Sequence, residues 1–206
     1  MTKYAKELPK FRRNLAKVYA RRTETDNLNG LLWYESARVF CSDAAAKYGH
    51  SVATSAAVTA ALSPQCRWER NIIIADDVLG YRAVSIGGAL HKNIRNAQTL
   101  RDTQATDTRA VFRDGPKVFN FALNLAGDCN AVTVDTHAVQ AAYDDILVNV
   151  WLRSGPYDVF ASAYREVAAT VKVAPCDFQA IVWHVWKREN PHKQPQRAQW
   201  SAMGEY

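Results

Sequence analysis

Lys117 and Asp135 stand eighteen residues apart in the run GPKVFNFALNLAGDCNAVTVDTH, residues 115–137. A neutral lysine amine is a nucleophile, and a carboxylate can accept its proton and stabilise positive charge on a sugar. Held together, the two are the equipment for attack on a sugar C1′ and expulsion of a nucleobase. Taken singly they are ordinary: a solvated surface lysine and a helix N-cap. The cap and the chemistry are compatible, because a helix N-terminus favours negative charge.

Helical periodicity dominates the chain that must position them. Residues 3–22 read as a basic amphipathic helix or arm. Residues 27–48 read as a helix with Leu31, Leu32, Tyr34, Val39 and Phe40 inward. Residues 51–62, rich in alanine and small β-branched side chains, predict a buried, closely packed helix. Pro64 is placed near the start of the next helix, which runs through WERNIIIADDVLG and stops at Gly80. The Gly87-Gly88 pair precedes a segment with His91, Lys92 and Arg95. Thr106-Asp107 is set to cap a short helix ending near Phe112. Asp114-Gly115 forms a tight turn, Pro116 opens a helix that ends at Gly127-Asp128, and Asp135 caps a helix over 136–152. Gly155-Pro156 is read as a break, 157–173 as helix, and Pro175 as the start of the last one. Residues 131–134 are the only β-like run, too short for a sheet, and are expected to be an extended connection. The expectation is an all-α chain of nine or ten helices with a polar tail over 191–206.

Hydrophobic residues make up 48% of the 206, which argues against disorder. A net charge of +6 and a pI near 9.2 favour an acidic partner, nucleic acid first. Cysteines 41, 66, 129 and 176 are too far apart in sequence for a CxxC metal site, and no metal is expected. The N-terminal MTKYAKELPKFRR lacks an apolar signal region, and no stretch reaches the roughly 18 apolar residues of a membrane helix. A soluble, cytoplasmic protein with reduced, mostly buried cysteines follows, with no membrane partner and a monomeric state. Lys10, Arg12, Arg13, Lys17, Arg21 and Arg22 form either a solvated helix face or a DNA-backbone contact. Trp68 is either core or a platform for a base.

From Lys117 to His137 the chain resembles the helix-hairpin-helix DNA glycosylase superfamily, most closely its endonuclease III branch. That family has a lysine just after a hairpin glycine, the same ungapped interval, and then Val-Asp-Thr-His, here Val134-Asp135-Thr136-His137. Asn120, Leu123 and Asn124 also fall at matching positions. Leu62-Ser63-Pro64-Gln65, followed by Asn71, resembles the family's Leu-Ser-x-Gln segment, whose glutamine fills the gap left by a flipped base. Ala89-Leu90-His91-Lys92 lies where the family places a second wedge, so Leu90 or His91 takes that part. The chain departs from the pattern in two places. Gly115 keeps the second hairpin glycine while Arg113 replaces the first, either distorting the turn or adding a phosphate contact. No cysteine follows Cys176, so the iron–sulfur site of many relatives has no counterpart. The last helix is then anchored by Phe178, Trp183 and Trp186.

The resemblance covers roughly residues 50–190. It implies a two-lobed all-α fold over 1–190 with a DNA cleft. Residues 62–140 form the central lobe, and the N-terminal helix (3–22) and C-terminal helices form the other. It implies Lys117 and Asp135 as catalytic residues, and Gln65, Leu90, His91, Arg113 and Gly115 as DNA contacts. No cofactor is implied. The partner is double-stranded DNA carrying a modified or damaged base, and the activity is base excision with strand cleavage through a lysine Schiff base. His137 is expected to be a satisfied core or interface histidine. Two other readings remain. One is a base-hypermodifying transferase on the same fold, similar to virus-encoded members, acting on a 5-substituted pyrimidine in a bacterial or infected host cytoplasm. The other is a DNA-binding protein without chemistry.

Overall fold

The computed structural model describes residues 3–113, 115–150, 152 and 154–191, and the described residues are all-α. After a 3-10 turn over Lys3–Glu7 come α1 (Leu8–Ala20), α2 (Glu24–Tyr48), α3 (Val52–Leu62), α4 (Trp68–Leu79) and α5 (His91–Asp102). A second 3-10 turn, Thr108–Ala110, leads to α6 (Pro116–Ala126), α7 (Thr136–Tyr143), α8 (Ser154–Val171) and α9 (Pro175–Glu189). The expected tail lies, from residue 192 on, outside the described residues.

The small side chains of α3 explain its place. Thr54 to Leu62 are all buried, and α2, α4, α5 and α6 pack around it. Ser51 caps it, its hydroxyl accepting from the Thr54 amide at 3.0 Å. One apolar cluster joins α3, α4 and α5 through Leu62, Ile74, Val78, Leu79 and Leu100. A second joins α2, α3, α6 and the start of α9 through Tyr34, Phe121 and Leu125. A third gathers α1, α7, α8 and α9 around Phe11, Tyr157, Phe160, Tyr164 and Phe178. Burial of Phe11, Leu15, Val18 and Tyr19 follows the helical period that the sequence shows in α1. Its basic face is solvated and partly neutralised: Arg12 pairs with Glu166 at 2.6 Å and Arg21 with Glu189 at 2.9 Å.

The inward face of α2 differs from expectation. Leu31, Leu32 and Val39 are exposed and Phe40 is half-buried. The buried positions are Gly30, Tyr34, Ala37, Cys41, Ala44 and Ala45. The reason is close approach: α2 lies along α9, and a Cβ on Gly30 would stand 2.7 Å from the Ile181 amide nitrogen and Cα. Large side chains have no room on that face and turn outward.

Four other boundaries shift. Pro64 is in a turn before α4, closed by the Cys66 amide donating to Ser63 O at 3.1 Å. Proline second and a positive φ third (Gln65, φ 60) is the type II pattern. The helix expected before Phe112 is only one 3-10 turn, capped by Asp107 as foreseen. Asp114 of the following turn lies outside the described residues, while Gly115 caps α6 at φ −103, outside the left-handed region, where a Cβ would stand 2.9 Å from Phe112 Cβ. Helix α7 stops at Tyr143 rather than 152, because Asp144 turns left-handed (φ 53) and the Asp145 carboxylate accepts from the Leu147 amide at 2.9 Å. Gly155-Pro156 does not break the chain but lies in the first turn of α8, where proline's missing donor costs nothing. Cysteine burial is also partial: Cys41 and Cys176 are buried, Cys66 and Cys129 half-exposed, and all four are free.

After α4 the chain is pinned by Asp77. Its carboxylate accepts from the Ser85 hydroxyl (2.6 Å), the Ser85 amide (2.9 Å) and Arg82 Nε (3.2 Å). The Ser85 hydroxyl, against the opposing effect of burial and helped by the amide and the guanidinium, holds the Asp77 carboxyl below its ordinary range. A depressed folded-state pKa stabilises fully above the unfolded value of about 3.9 and is lost as pH falls through the folded one. We expect Asp77→Asn to cost roughly 1–3 kcal/mol at neutral pH. In denaturation curves the gap from the parent should close as pH drops below about 3.9; an unchanged gap in acid would contradict this.

Candidate functional site

Asp135 is placed by the extended segment before it. Ala131, Val132 and Val134 are buried in apolar surroundings, so their backbone polar groups need protein partners. Asn124, fully buried on α6, supplies several. Its Nδ2 donates to Asp128 O and Ala131 O, each at 2.8 Å, and its Oδ1 accepts from the Thr133 hydroxyl at 2.8 Å. Arg38 of α2 fixes the same turn by donating to Asn124 O at 2.9 Å. From the other side the Tyr157 hydroxyl donates to Val132 O (2.6 Å) and accepts from the Val134 amide (3.0 Å). The segment therefore delivers Asp135 to the start of α7 as the expected N-cap, Oδ1 accepting from the Ala138 amide at 2.8 Å. Oδ2 has no hydrogen-bond partner among the described residues.

Lys117 sits in the first turn of α6, half-buried. Val118, Phe121, Ala122 and Leu125 fasten that helix to the core. Lys117 makes no ion pair or hydrogen bond with any described residue. It and Asp135 nevertheless wall one cavity of about 590 Å³. Trp33, Trp68 and Phe121 form an aromatic wall there, with Trp33 and Trp68 ring centroids 5.3 Å apart and Trp33 and Phe121 5.9 Å apart. Trp68 is thus half-buried and cavity-facing at once. On the α9 side stand Gln179, Trp183, His184 and Lys187. The buried Tyr34 hydroxyl donates to Gln179 Oε1 at 3.1 Å, and burial pushes this phenol well up from its ordinary value. Burial pushes His184 down, opposed by the charge of Asp26.

The other expected site residues lie outside this group. Gln65 is exposed at the tip of the 63–66 turn, whose Ser63 and Cys66 do line the cavity. Its left-handed backbone is uncommon for a residue with a side chain, and such strain concentrates at functional positions. Leu90 and His91 are exposed at the start of α5, and neither lines the cavity. Their loop is tied to α4 by Arg70 donating to Gly87 O at 3.1 Å. Arg113 is exposed beside Gly115, outside the cavity lining.

Two readings are corrected. His137 is not satisfied among the described residues: its buried Nδ1 has no partner there, and its ring meets the Trp183 ring edge-on at 6.3 Å. Phe178 and Trp186 anchor α9 in the core as expected, but Trp183 is half-buried and faces the cavity. Sequence reasoning also missed Trp33, Gln179, His184 and Lys187. A signal existed: Gln179, Trp183 and Lys187 recur at i, i+4 and i+8, one stripe of α9.

No described helix is long and apolar enough to cross a membrane. The family model of DUF7178, a family of unknown function, matches residues 1–190. No curated protein and no solved structure matches the chain.

Proposed function

We propose that this chain, which belongs to the DUF7178 family, is a DNA base-excision enzyme that removes a flipped base and cleaves the strand through a lysine Schiff base. The observation that carries this reading is the presence of Lys117 and Asp135, from two separate elements, in the lining of one cavity. In this reading the α1, α7, α8 and α9 group and the α2 to α6 group are the two lobes of a helix-hairpin-helix fold, and the cavity opens from the cleft between them.

A glycosidic bond inside a duplex is out of reach, so the target nucleotide is turned out of the stack. Gln65 fills the vacated position, with Leu90 or His91 on the other side. The α6 start, with Gly115 and Arg113, holds a backbone phosphate. The flipped base lies against Trp33 and Trp68. Asp135, through its open Oδ2, takes a proton from the Lys117 ammonium and stabilises charge developing on the sugar. The Lys117 amine bonds to C1′ as the C1′–N bond breaks, and the base leaves with the proton that Asp135 took from the ammonium. Ring opening gives the Schiff base, and loss of the C2′ proton expels the 3′ phosphate.

The test is release of free base from duplexes carrying uracil, hydroxymethyluracil, oxidised or mismatched bases. Base release on at least one supports the reading. Intact DNA across the panel, an enlarged base by mass spectrometry, or salt-sensitive binding alone would each overturn it. Asp135→Asn keeps a good N-cap, so the fold should hold. We expect it to lose roughly 10²-fold or more in excision rate while binding DNA as the parent does. Equal activity in that variant would refute the assignment of Asp135.

A further inference from the structure

Residues that line the cavity carry buried polar atoms that no described residue satisfies. Among the described residues, eight buried side-chain nitrogen or oxygen atoms lack a hydrogen bond. Three of them, Ser63 Oγ, Asn71 Oδ1 and His184 Nε2, belong to residues lining this cavity. A buried polar atom without a partner is costly, so their concentration at one site points to a ligand. Asn71 is 1% exposed and Gln179 5% exposed, and both wall the cavity. Tyr34 holds Gln179 Oε1, which leaves Gln179 Nε2 as a donor without a partner among the described residues. Neither atom of the Asn71 carboxamide has a partner among the described residues, so a turn about χ2 can set an acceptor and a donor side by side.

The complementary ligand is flat, to stack on the face of Trp33 or Trp68, whose rings tilt 46° from each other, and has an edge of acceptor, donor, acceptor. That is the imide edge of a uracil-type ring: two carbonyls flanking an N–H. Cytosine replaces one carbonyl by an amino group and has no ring N–H on that edge, so it mismatches twice. We propose that the cavity is a binding site for an imide-type pyrimidine base, with Asn71 and Gln179 as its specificity-determining residues. Asn71 Oδ1 accepts the ring N–H, Asn71 Nδ2 donates to one carbonyl, and Gln179 Nε2 donates to the other. As the enzyme's substrate class an imide base rests on the base-excision reading; as the ligand of the cavity it stands without it.

Titration of the full chain with deoxyuridine, thymidine and deoxycytidine, followed by ligand-observed NMR, tests this without DNA or turnover. We expect deoxyuridine or thymidine to bind about tenfold or more tightly than deoxycytidine, and Gln179→Ala to lose that margin. Gln179→Glu exchanges the donor for an acceptor of the same shape. It should move the preference toward deoxycytidine, a change that simple loss of folding does not produce. No binding, equal binding of all three, or an unmoved preference in Gln179→Glu would overturn the proposal. Base release from DNA with an unmoved preference would remove the assignment of Gln179 and Asn71 while leaving base excision standing. Selective nucleoside binding without base release would do the reverse.

Discussion

Lys117→Arg should abolish excision, lowering base release by roughly 10³-fold or more, as removal of a covalent nucleophile does. The variant keeps the positive charge but has no amine that can form a Schiff base. Lys117 bonds to no described residue, and its helix is held by Val118, Phe121 and Leu125. Thermal stability should therefore stay within about 0.5 kcal/mol of the parent, and DNA binding should be retained. Single-turnover base release, with a melting curve on the same sample, checks both halves. A variant that still excises at the parent rate would remove Lys117 from the chemistry. One that unfolds would show that Lys117 packing supports the fold.

Gly30→Ala has the opposite profile, with no role in chemistry and a large effect on folding. Helix propensity alone predicts that alanine inside α2 gains about 1 kcal/mol. The structure predicts a loss. The added Cβ would meet Ile181 backbone atoms at 2.7 Å, and backbone cannot swing aside as a side-chain end can. Relief requires α2 and α9 to separate, at the junction that carries Tyr34 and Gln179. We expect a destabilisation of about 3 kcal/mol or more, at the upper end for overpacking, and loss of activity with it. Gly87→Ala is the control, since nothing lies within 4 Å of its Cβ and its φ is unstrained. Chemical denaturation of the two variants separates the cases, and a stable Gly30→Ala would contradict the α2 to α9 contact.

These two positions also mark where the sequence could be read. Lys117 and Asp135 were legible because their placement is local. Pro116 opens a helix and an aspartate caps another, and each signal lies within a few residues. The same holds for Gly80 after α4 and Pro175 at the start of α9. The buried face of α2 was not legible. Gly30, Ala37 and Ala44 point inward only because α9 and α3 come so close, and periodicity favours the larger Leu31 and Val39. The early end of α7 escaped for a related reason. It depends on a left-handed Asp144 and on Gln140 Nε2 donating to Ile146 O at 2.8 Å, neither of which changes the hydrophobic pattern. The cavity was half legible. Lys117 and Asp135 carry local signals, but the walls around them come from α2, α4 and α9, whose positions depend on tertiary packing. Trp183 in particular reads as core from its type alone, and only the stripe it shares with Gln179 and Lys187 separates it from Trp186.

The central claim is that Lys117 becomes covalently bonded to DNA during turnover. Borohydride reduction during reaction with the duplex that releases base, followed by digestion and mass mapping, reads this directly. The account predicts a reduced sugar adduct on the peptide containing Lys117, absent from Lys117→Arg. Base release with no adduct, or an adduct on a different residue, would contradict it.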